Sequence, residues 1–400
     1  MNLFQIVLRN LRQHLLSTII TALSIALAGG LLMSIWSVKQ QSEQTFTRVN
    51  SGFDAVLGAR GSKLQLVLNS IFHLEASTGN LNQTDYDYIR RHPTVKRAIP
   101  IAVGDNLKGY RIVGTVPELF TDIEYAPHHT YTLREGKLFD PTKKEAVLGE
   151  FAAHQLQLNV GDTFHPFHGL AYDPRNQHPE TYIVTGILKA SNTPADKVIW
   201  IPLHGLQTMG GHDPKAANDI SAILIQLRSP TSGFVLDLLY NKQGNRLTFA
   251  WPIGAIISDL FGKIGWFDKV LTLIAYLVAL VSAAGVLVAI YNSMAARSRD
   301  IAILRSLGAH RRTILGTIVL EAATIGALGM ILAFIFYFGI LSLVSAIIRS
   351  QTGVMLNIFS FDFVMIWAPT TMIALCALGC LVPALKAYRA DIASNLAPVS

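Results

Sequence analysis

The sequence predicts a membrane protein with four transmembrane α-helices and a large α+β extracytoplasmic domain inserted between the first and second spans. Three observations carry this prediction. The 400-residue chain is 51% hydrophobic and only 15% charged, which is too apolar for a soluble protein of this length. It contains four apolar runs with almost no charge, each long enough to cross a bilayer. One long polar stretch separates the first run from the second.

The N-terminal segment, residues 1–14, has an amphipathic pattern. Phe4, Val7, Leu8 and Leu11 fall on one face of a helix, and the polar residues fall elsewhere. This pattern predicts a cytoplasmic helix that lies in the membrane interface. The alternative is that the segment extends the span that follows it.

The first predicted span covers residues 15–38. Arg9 and Arg12 precede it, and the positive-inside rule therefore places the N-terminus in the cytoplasm. Residues 26–28 resemble a signal-peptide cleavage site. The apolar run continues to Trp36, which is longer than a signal peptide needs, so we expect a retained span.

Residues 39–266 form the extracytoplasmic stretch, where short strand patterns such as 181–188 alternate with helical patterns such as 85–91. This stretch carries 22 Lys and Arg against 21 Asp and Glu, while the whole chain has a net charge of +7. The basic residues in excess therefore belong to the membrane part. This distribution fits the positive-inside rule and argues against nucleic acid as a partner.

The rest of the chain follows the same alternation of apolar and polar runs, and it ends with Lys386 and Arg389 on the cytoplasmic side. The predicted segments are the second span 267–290, a cytoplasmic region 291–313, the third span 314–348, an external loop 349–362, the fourth span 363–385 and a cytoplasmic tail 386–400.

The cytoplasmic region 291–313 combines five arginines with regularly spaced apolar residues. Ile301, Leu304 and Gly308 fall on one side of a helix, with Ile303 and Leu307 beside them. We expect a short helix that presses this apolar face against a partner. An ordinary basic loop between two spans is the alternative.

Residues 297–314, RSRDIAILRSLGAHRRTI, resemble the signature of FtsX/MacB-type permeases of ABC transporters. The order of GFDAVLGARGS, VKRAIPI, YRIVGTVPELF, EAVLGEFAAHQLQLNVGDTF and TYIVTGIL resembles a MacB-like periplasmic core domain, whose inserted subdomain we expect near residues 131–203. In that family the cytoplasmic segment is the coupling helix, which docks on the ATPase. The resemblance assigns this role to Arg299, Asp300, Ile301, Ile303, Leu304, Arg305, Leu307, Gly308 and Arg311.

The resemblance also implies a function and partners. The chain would be an ABC-transporter permease subunit of the bacterial inner membrane that transmits ATP-driven motion to its periplasmic domain. Its partners would be a cytoplasmic ATPase, a second permease copy in a homodimer or heterodimer, membrane lipid, and a periplasmic adaptor or substrate protein. The sequence has no GxxxxGK[ST] motif, so we expect ATP hydrolysis in a separate subunit, no catalytic residue and no cofactor.

Two other functions remain open at this point. One is a non-transport membrane regulator of an envelope enzyme. The other is a transporter or sensor in metal homeostasis, because ten of the twelve histidines lie in the extracytoplasmic stretch. The spacing of His165 and His168 can bring two imidazoles to one metal ion. Solvated loop histidines are the simpler interpretation.

Glu321 is the one acidic residue in the interior of a predicted span, since Asp268 lies at the edge of the second span. A charge at that depth is costly, and it usually faces protein or water. We expect either a hydrogen bond that ties this helix to the coupling helix or the first span, or a side chain that reaches back to the interface. Small residues such as Gly29, Gly30, Gly285 and Gly329 permit close helix approach, either within the chain or between two copies.

Overall fold

The computed structural model describes residues 3–48, 51–210, 218–296 and 310–381. It divides into two compact units. The helical unit comprises Met1–Gln41, Ile264–Ser345 and Leu356–Ser400. The domain unit comprises Ser42–Lys263 and Ala346–Met355.

The helices, in chain order, are α1 (Leu3–Gln13), α2 (Leu15–Arg48), α3 (Lys63–Ser70), α4 (Gln83–Arg90), α5 (Glu118–Thr121), α6 (Glu150–Leu156), α7 (Leu203–Gln207), α8 (Ser232–Asp237), α9 (Ile253–Ala296), α10 (Arg311–Thr352) and α11 (Val364–Gly379). The strands are β1 (Ala55–Ala59), β2 (Val95–Leu107), β3 (Tyr110–Thr115), β4 (Glu124–Ala126), β5 (His129–Thr130), β6 (Leu133–Gly136), β7 (Glu145–Leu148), β8 (Thr163–Phe164), β9 (Phe167–His168), β10 (Tyr182–Leu188), β11 (Ile199–Pro202), β12 (Ala222–Leu227) and β13 (Leu247–Ala250).

Apolar helices occupy all four regions for which the sequence predicts spans. Three of them are long and apolar enough to cross a membrane, namely Leu15–Thr47, Ile253–Gly285 and Arg312–Thr352. The fourth, α11, is equally apolar but has 16 residues. Both α2 and α9 extend beyond the predicted spans on the side of the polar stretch, because polar residues can continue a helix outside a bilayer.

Within the helical unit, α2 and α10 approach each other at glycines. A Cβ atom on Gly30 would lie 2.7 Å from the Cβ of Phe336, and one on Gly329 would lie 2.7 Å from the Cβ of Ile25. These contacts leave no space for a side chain, so the small residues serve packing within the chain here. On the short helix α1, Val7 and Leu11 are buried.

In the domain unit, eleven strands form one mixed sheet in the order β13-β1-β12-β2-β3-β11-β7-β10-β6, with β8 on β10 and β9 on β2. The pairs β3–β11 and β7–β10 are parallel, and the remaining neighbours are antiparallel. Helices pack on this sheet, which confirms the predicted α+β class.

Strand β2 holds the sheet together because it is long enough to serve two groups of strands. Up to Ile101 it pairs with β12, and from Ala102 onwards it pairs with β3. Both faces of the first group are buried: Val56 belongs to one apolar cluster and Leu57 to another on the opposite side. Such burial explains why these strands read as nearly continuous apolar runs.

Candidate functional site

The last turns of α10 belong to the domain unit, where they contact α6. The Arg349 Nη2 atom donates a hydrogen bond to Glu150 Oε2 at 2.9 Å, and its guanidinium carbon lies 5.0 Å from the centre of the Phe151 ring. Arg349 thus makes both a charge-assisted hydrogen bond and a cation–π contact with the same helix. Glu150 lies in the first turn of α6, where the helix dipole favours a negative charge.

The chain just after α10 contacts a second part of the domain. Asn192 accepts a hydrogen bond from the backbone N–H of Met355 at 2.6 Å, and its amide donates to the Met355 carbonyl at 3.3 Å. Lys197 donates to the carbonyl of Gln351 at 2.7 Å. The C-terminal end of α10 is therefore held by α6 and by the loop 191–197. We call this set of contacts the α10 anchor.

The loop in the α10 anchor is shaped by a buried carboxylate. Asp196 accepts hydrogen bonds from the backbone N–H groups of Ser191 and Asn192 and from the Ser191 hydroxyl. Burial raises the pKa of Asp196 above its usual value, and these hydrogen bonds only partly offset the effect. Burial also lowers the pKa of Lys197, with Arg111 contributing in the same direction. The loop therefore presents a fixed surface to α10.

Glu321, the acid predicted within a span, is buried in the helical unit. Its Oε2 atom accepts a hydrogen bond from Asn10 Nδ2 at 3.2 Å. This hydrogen bond links α10 to the short amphipathic helix α1, which carries Asn10. Asn10 carries no signal in the sequence that would have singled it out.

The helical unit contains a second polar cluster, which the sequence did not predict. Ser37 donates a hydrogen bond to Asp362 Oδ2 at 2.6 Å, and the hydroxyl of Tyr337 donates to Ser37 Oγ at 3.3 Å. All three residues are buried. The only sequence signal was an acid at the start of the fourth apolar run, and this position allowed an exposed loop residue equally well.

The structure separates the two histidines of the predicted pair. His165 Nδ1 lies 3.0 Å from the carbonyl oxygen of Glu180, whereas His168 Nδ1 lies 3.4 Å from Asp105 Oδ1. His178 Nε2 approaches the same Asp105 oxygen, at 3.2 Å. The metal-capable cluster among the described residues is Asp105, His168 and His178. His165 is not part of it.

Most residues predicted to contact the ATPase lie outside the described residues. They are Arg299, Asp300, Ile301, Ile303, Leu304, Arg305, Leu307 and Gly308. Arg311 is the first residue of α10. The assignment of these residues stays a prediction.

Long apolar helices combined with an α+β domain define a membrane protein that carries a large domain outside the bilayer. Residues 272–392 match the family model "FtsX-like permease C-terminal", and residues 18–233 match "MacB-like periplasmic core domain". The second match alone spans more than half of the chain. The chain therefore belongs to the MacB/FtsX-type family of ABC-transporter permeases.

Two solved structures are similar to part of this chain. The extracellular domain of the noncanonic ABC-type transporter YknZ from Gram-positive bacteria is 15% identical, with a TM-score of 0.30, and the match covers 49% of this chain and 98% of that one. The periplasmic region of MacB from Actinobacillus actinomycetemcomitans is 12% identical, with a TM-score of 0.33, and the match covers 53% and 93% respectively. The comparison with curated proteins gave no match.

Proposed function

We propose that this permease subunit transmits ATP-driven motion from a cytoplasmic ATPase to its extracytoplasmic domain. The observation that carries the proposal is the α10 anchor. A single helix begins at Arg311, beside the segment that resembles a coupling helix, and its last turns contact α6 and the loop 191–197 of the domain. A helix of this kind can pass a displacement along its axis, because its backbone hydrogen bonds resist stretching.

At the cytoplasmic end, the proposal assigns the input to the apolar face of the segment 299–311. Ile301, Leu304 and Leu307 would fill a groove on the ATPase, and Arg299, Arg305 and Arg311 would pair with its acidic groups. Motion of the ATPase would then reach the first turn of α10 directly. This contact would explain why charges and apolar residues alternate so regularly there.

The proposal includes the topology and the assembly. The four apolar helices would all cross the membrane, with both termini in the cytoplasm and the domain in the periplasm of the bacterial inner membrane. Two permease copies, identical or related, would join two ATPase subunits. The exposed apolar side chains of α9 support contact with lipid or with a second copy. An efflux substrate, an extracted lipoprotein or a periplasmic adaptor would engage the domain.

The substitution Leu304→Asp tests the input end. Placing a charge in an apolar contact costs more than about 1.4 kcal/mol, so we expect at least about tenfold weaker association with the ATPase. Native mass spectrometry of the complex, gently solubilised from its host, measures this directly. Wild type should retain two permease and two ATPase subunits, and Leu304→Met should behave like wild type because it keeps an apolar side chain of similar size.

The same experiment separates a transporter from a non-transport regulator. A regulator on a membrane anchor would be isolated repeatedly without an ATPase under mild conditions. Leu304→Asp would then change nothing in the assembly, and the proposed function would be wrong.

A further inference from the structure

We propose that the domain unit binds one divalent transition-metal ion, of the Zn²⁺ type, through Asp105, His168 and His178. This proposal goes beyond the transmission of motion and does not depend on it. It rests on the arrangement of three side chains that lie 63 and 73 residues apart in sequence, counted from Asp105 to each histidine. Their ligand atoms all lie within 4.8 Å of one another.

The distances fit a tetrahedral metal centre. His178 Nε2 and His168 Nδ1 lie 3.2 Å and 3.4 Å from the same oxygen, Asp105 Oδ1. Zinc bonds to nitrogen and oxygen ligands are about 2.0–2.2 Å long, and neighbouring ligands in a tetrahedron are then about 3.4 Å apart. The two imidazole rings meet nearly at right angles, with 5.5 Å between their centroids.

The protein also orients the ligands. His178 Nδ1 lies 2.6 Å from the carbonyl oxygen of Gly210. A carbonyl can only accept a hydrogen bond, so Nδ1 carries the proton in this contact, and in the neutral imidazole Nε2 then keeps its lone pair for the cluster. Most metal-binding histidines are fixed by a hydrogen bond of this kind.

The segment 165–171, which carries His168, is also held in place. Asp105 and His168 are directly opposite each other in the antiparallel pair of β2 and β9, and the register of β2 is irregular just before Asp105. The buried amide of Asn106 donates hydrogen bonds to the carbonyls of Gly169 and Ala171, at 2.8 Å and 3.2 Å. Irregular register of this kind often re-aims a side chain in a sheet. Strand pairing and the Asn106 hydrogen bonds therefore fix the backbone around His168.

The burial and charge of the side chains in and around the cluster also favour a bound cation. Asp105 is fully buried and His178 is nearly so, whereas the side chain of His168 is about half exposed. Glu180 adds a second carboxylate nearby, since its Oε1 atom accepts the N–H of Gly210. Hydrogen bonds or a cation offset the cost of burying a carboxylate, and a divalent ion reached from the exposed side of His168 would add to the contacts that the two histidines make with Asp105.

The ligand set selects the class of metal. Two imidazoles and one carboxylate suit Zn²⁺ and its neighbours Co²⁺ and Ni²⁺, whereas Ca²⁺ and Mg²⁺ prefer oxygen ligands alone. Three protein ligands leave a fourth position for water or for a group of a bound molecule. The competing interpretation is a metal-free network, in which Asp105 simply accepts hydrogen bonds from the two histidines.

Co²⁺ titration of the full-length, tag-free protein in detergent distinguishes these interpretations. After treatment with EDTA, wild type should bind one Co²⁺ per chain with the strong visible absorption of a tetrahedral site, and Zn²⁺ should displace it. His168→Ala should weaken binding at least about tenfold, because the variant loses a direct ligand. His168 is the suitable position because its exposed side chain is not needed for the core.

His165→Ala is the matched control. It removes a histidine of the segment 165–171 that is not part of the cluster, so the affinity for Co²⁺ should stay unchanged. The proposal is overturned if wild type binds no stoichiometric Co²⁺ or Zn²⁺, if His168→Ala binds as tightly as wild type, or if His165→Ala weakens binding as much as His168→Ala does.

Discussion

The two longest helices, α9 and α10, are alike in length and apolarity but differ in their surroundings. In the most apolar part of α10, 22% of the residues are buried within the chain, against 6% for α9. Gly329 and Tyr337 of α10 pack against α2, whereas the described side chains of α9 are buried mainly in its first turns, where Ile253 and Ile257 enter a core cluster of the domain. The comparison teaches that apolarity and length identify a span but not its role. In the proposed function, the packed helix α10 passes the motion, and the more exposed helix α9 faces lipid or a second copy.

Two glycine substitutions, one where α2 contacts α10 and one on α9, should give the largest difference in stability. A Leu at Gly30 would overlap Phe336 Cβ and the carbonyl of Ala333, so α2 and α10 would have to separate. We expect Gly30→Leu to lower the free energy of unfolding by about 3 kcal/mol. Loss of the folded fraction in detergent on heating measures this change.

Gly285→Leu is the matched control on α9, because a Cβ atom at this position meets no atom of the described residues within 4 Å. It should leave thermal stability unchanged. Equal destabilisation by both substitutions would contradict the difference in packing between the two helices.

The sequence alone predicted the regions that form these helices, because long uncharged runs favour apolar helices. It could not predict which helix packs on which. Gly30 and Gly285 look equivalent in sequence, and only the tertiary arrangement buries one of them. The same limit applies to the domain: the alternating patterns identified individual strands, but strand order and register depend on pairing between distant segments. For that reason the spacing of His165 and His168 suggested a metal pair only as an alternative to solvated loop histidines, and the proximity of Asp105 was not visible.

The next prediction concerns the pH dependence of stability in the core cluster that contains the first turns of α9. His73 packs edge-on against Trp200, which belongs to the same apolar cluster as Ile253. Its Nδ1 atom is buried and has no hydrogen-bond partner among the described residues. Burial, together with the nearby charge of Arg111, lowers the pKa of His73 to about 3. Below pH 6.5, His73 therefore binds a proton in the unfolded chain but stays neutral in the folded chain.

The contribution of His73 to stability is thus fully present above pH 6.5 and is lost as the pH falls towards 3. The loss approaches about 1.4 kcal/mol per pH unit. His73→Asn should remove this slope, because Asn tolerates the left-handed backbone conformation of this residue but does not titrate. Melting temperatures followed by tryptophan fluorescence between pH 7 and pH 4.5 test the prediction. Parallel curves for wild type and variant would contradict it.

The smallest expected effect concerns the ion pair of the α10 anchor. Arg349 and Glu150 are both partly exposed, so solvent screens their attraction. A double-mutant cycle with Arg349→Ala and Glu150→Gln should give a coupling energy of about 0.5–1 kcal/mol. Denaturant unfolding of all four proteins yields this value. A coupling energy near zero would mean that the pair fixes orientation without adding stability.

In the proposed function, motion reaches the domain through the α10 anchor. Hydrogen–deuterium exchange on the complex with its ATPase in lipid nanodiscs, with and without ATP under conditions that block hydrolysis, tests it most directly. In wild type, ATP should change exchange in the loop 191–197. The double variant Arg349→Ala with Asn192→Gly should lose this response, since it removes two side-chain contacts of the anchor. Arg175→Ala, which breaks an exposed ion pair elsewhere in the domain, should keep it. An unchanged loop in wild type with the ATPase bound, or an equal response in the double variant, would contradict the account.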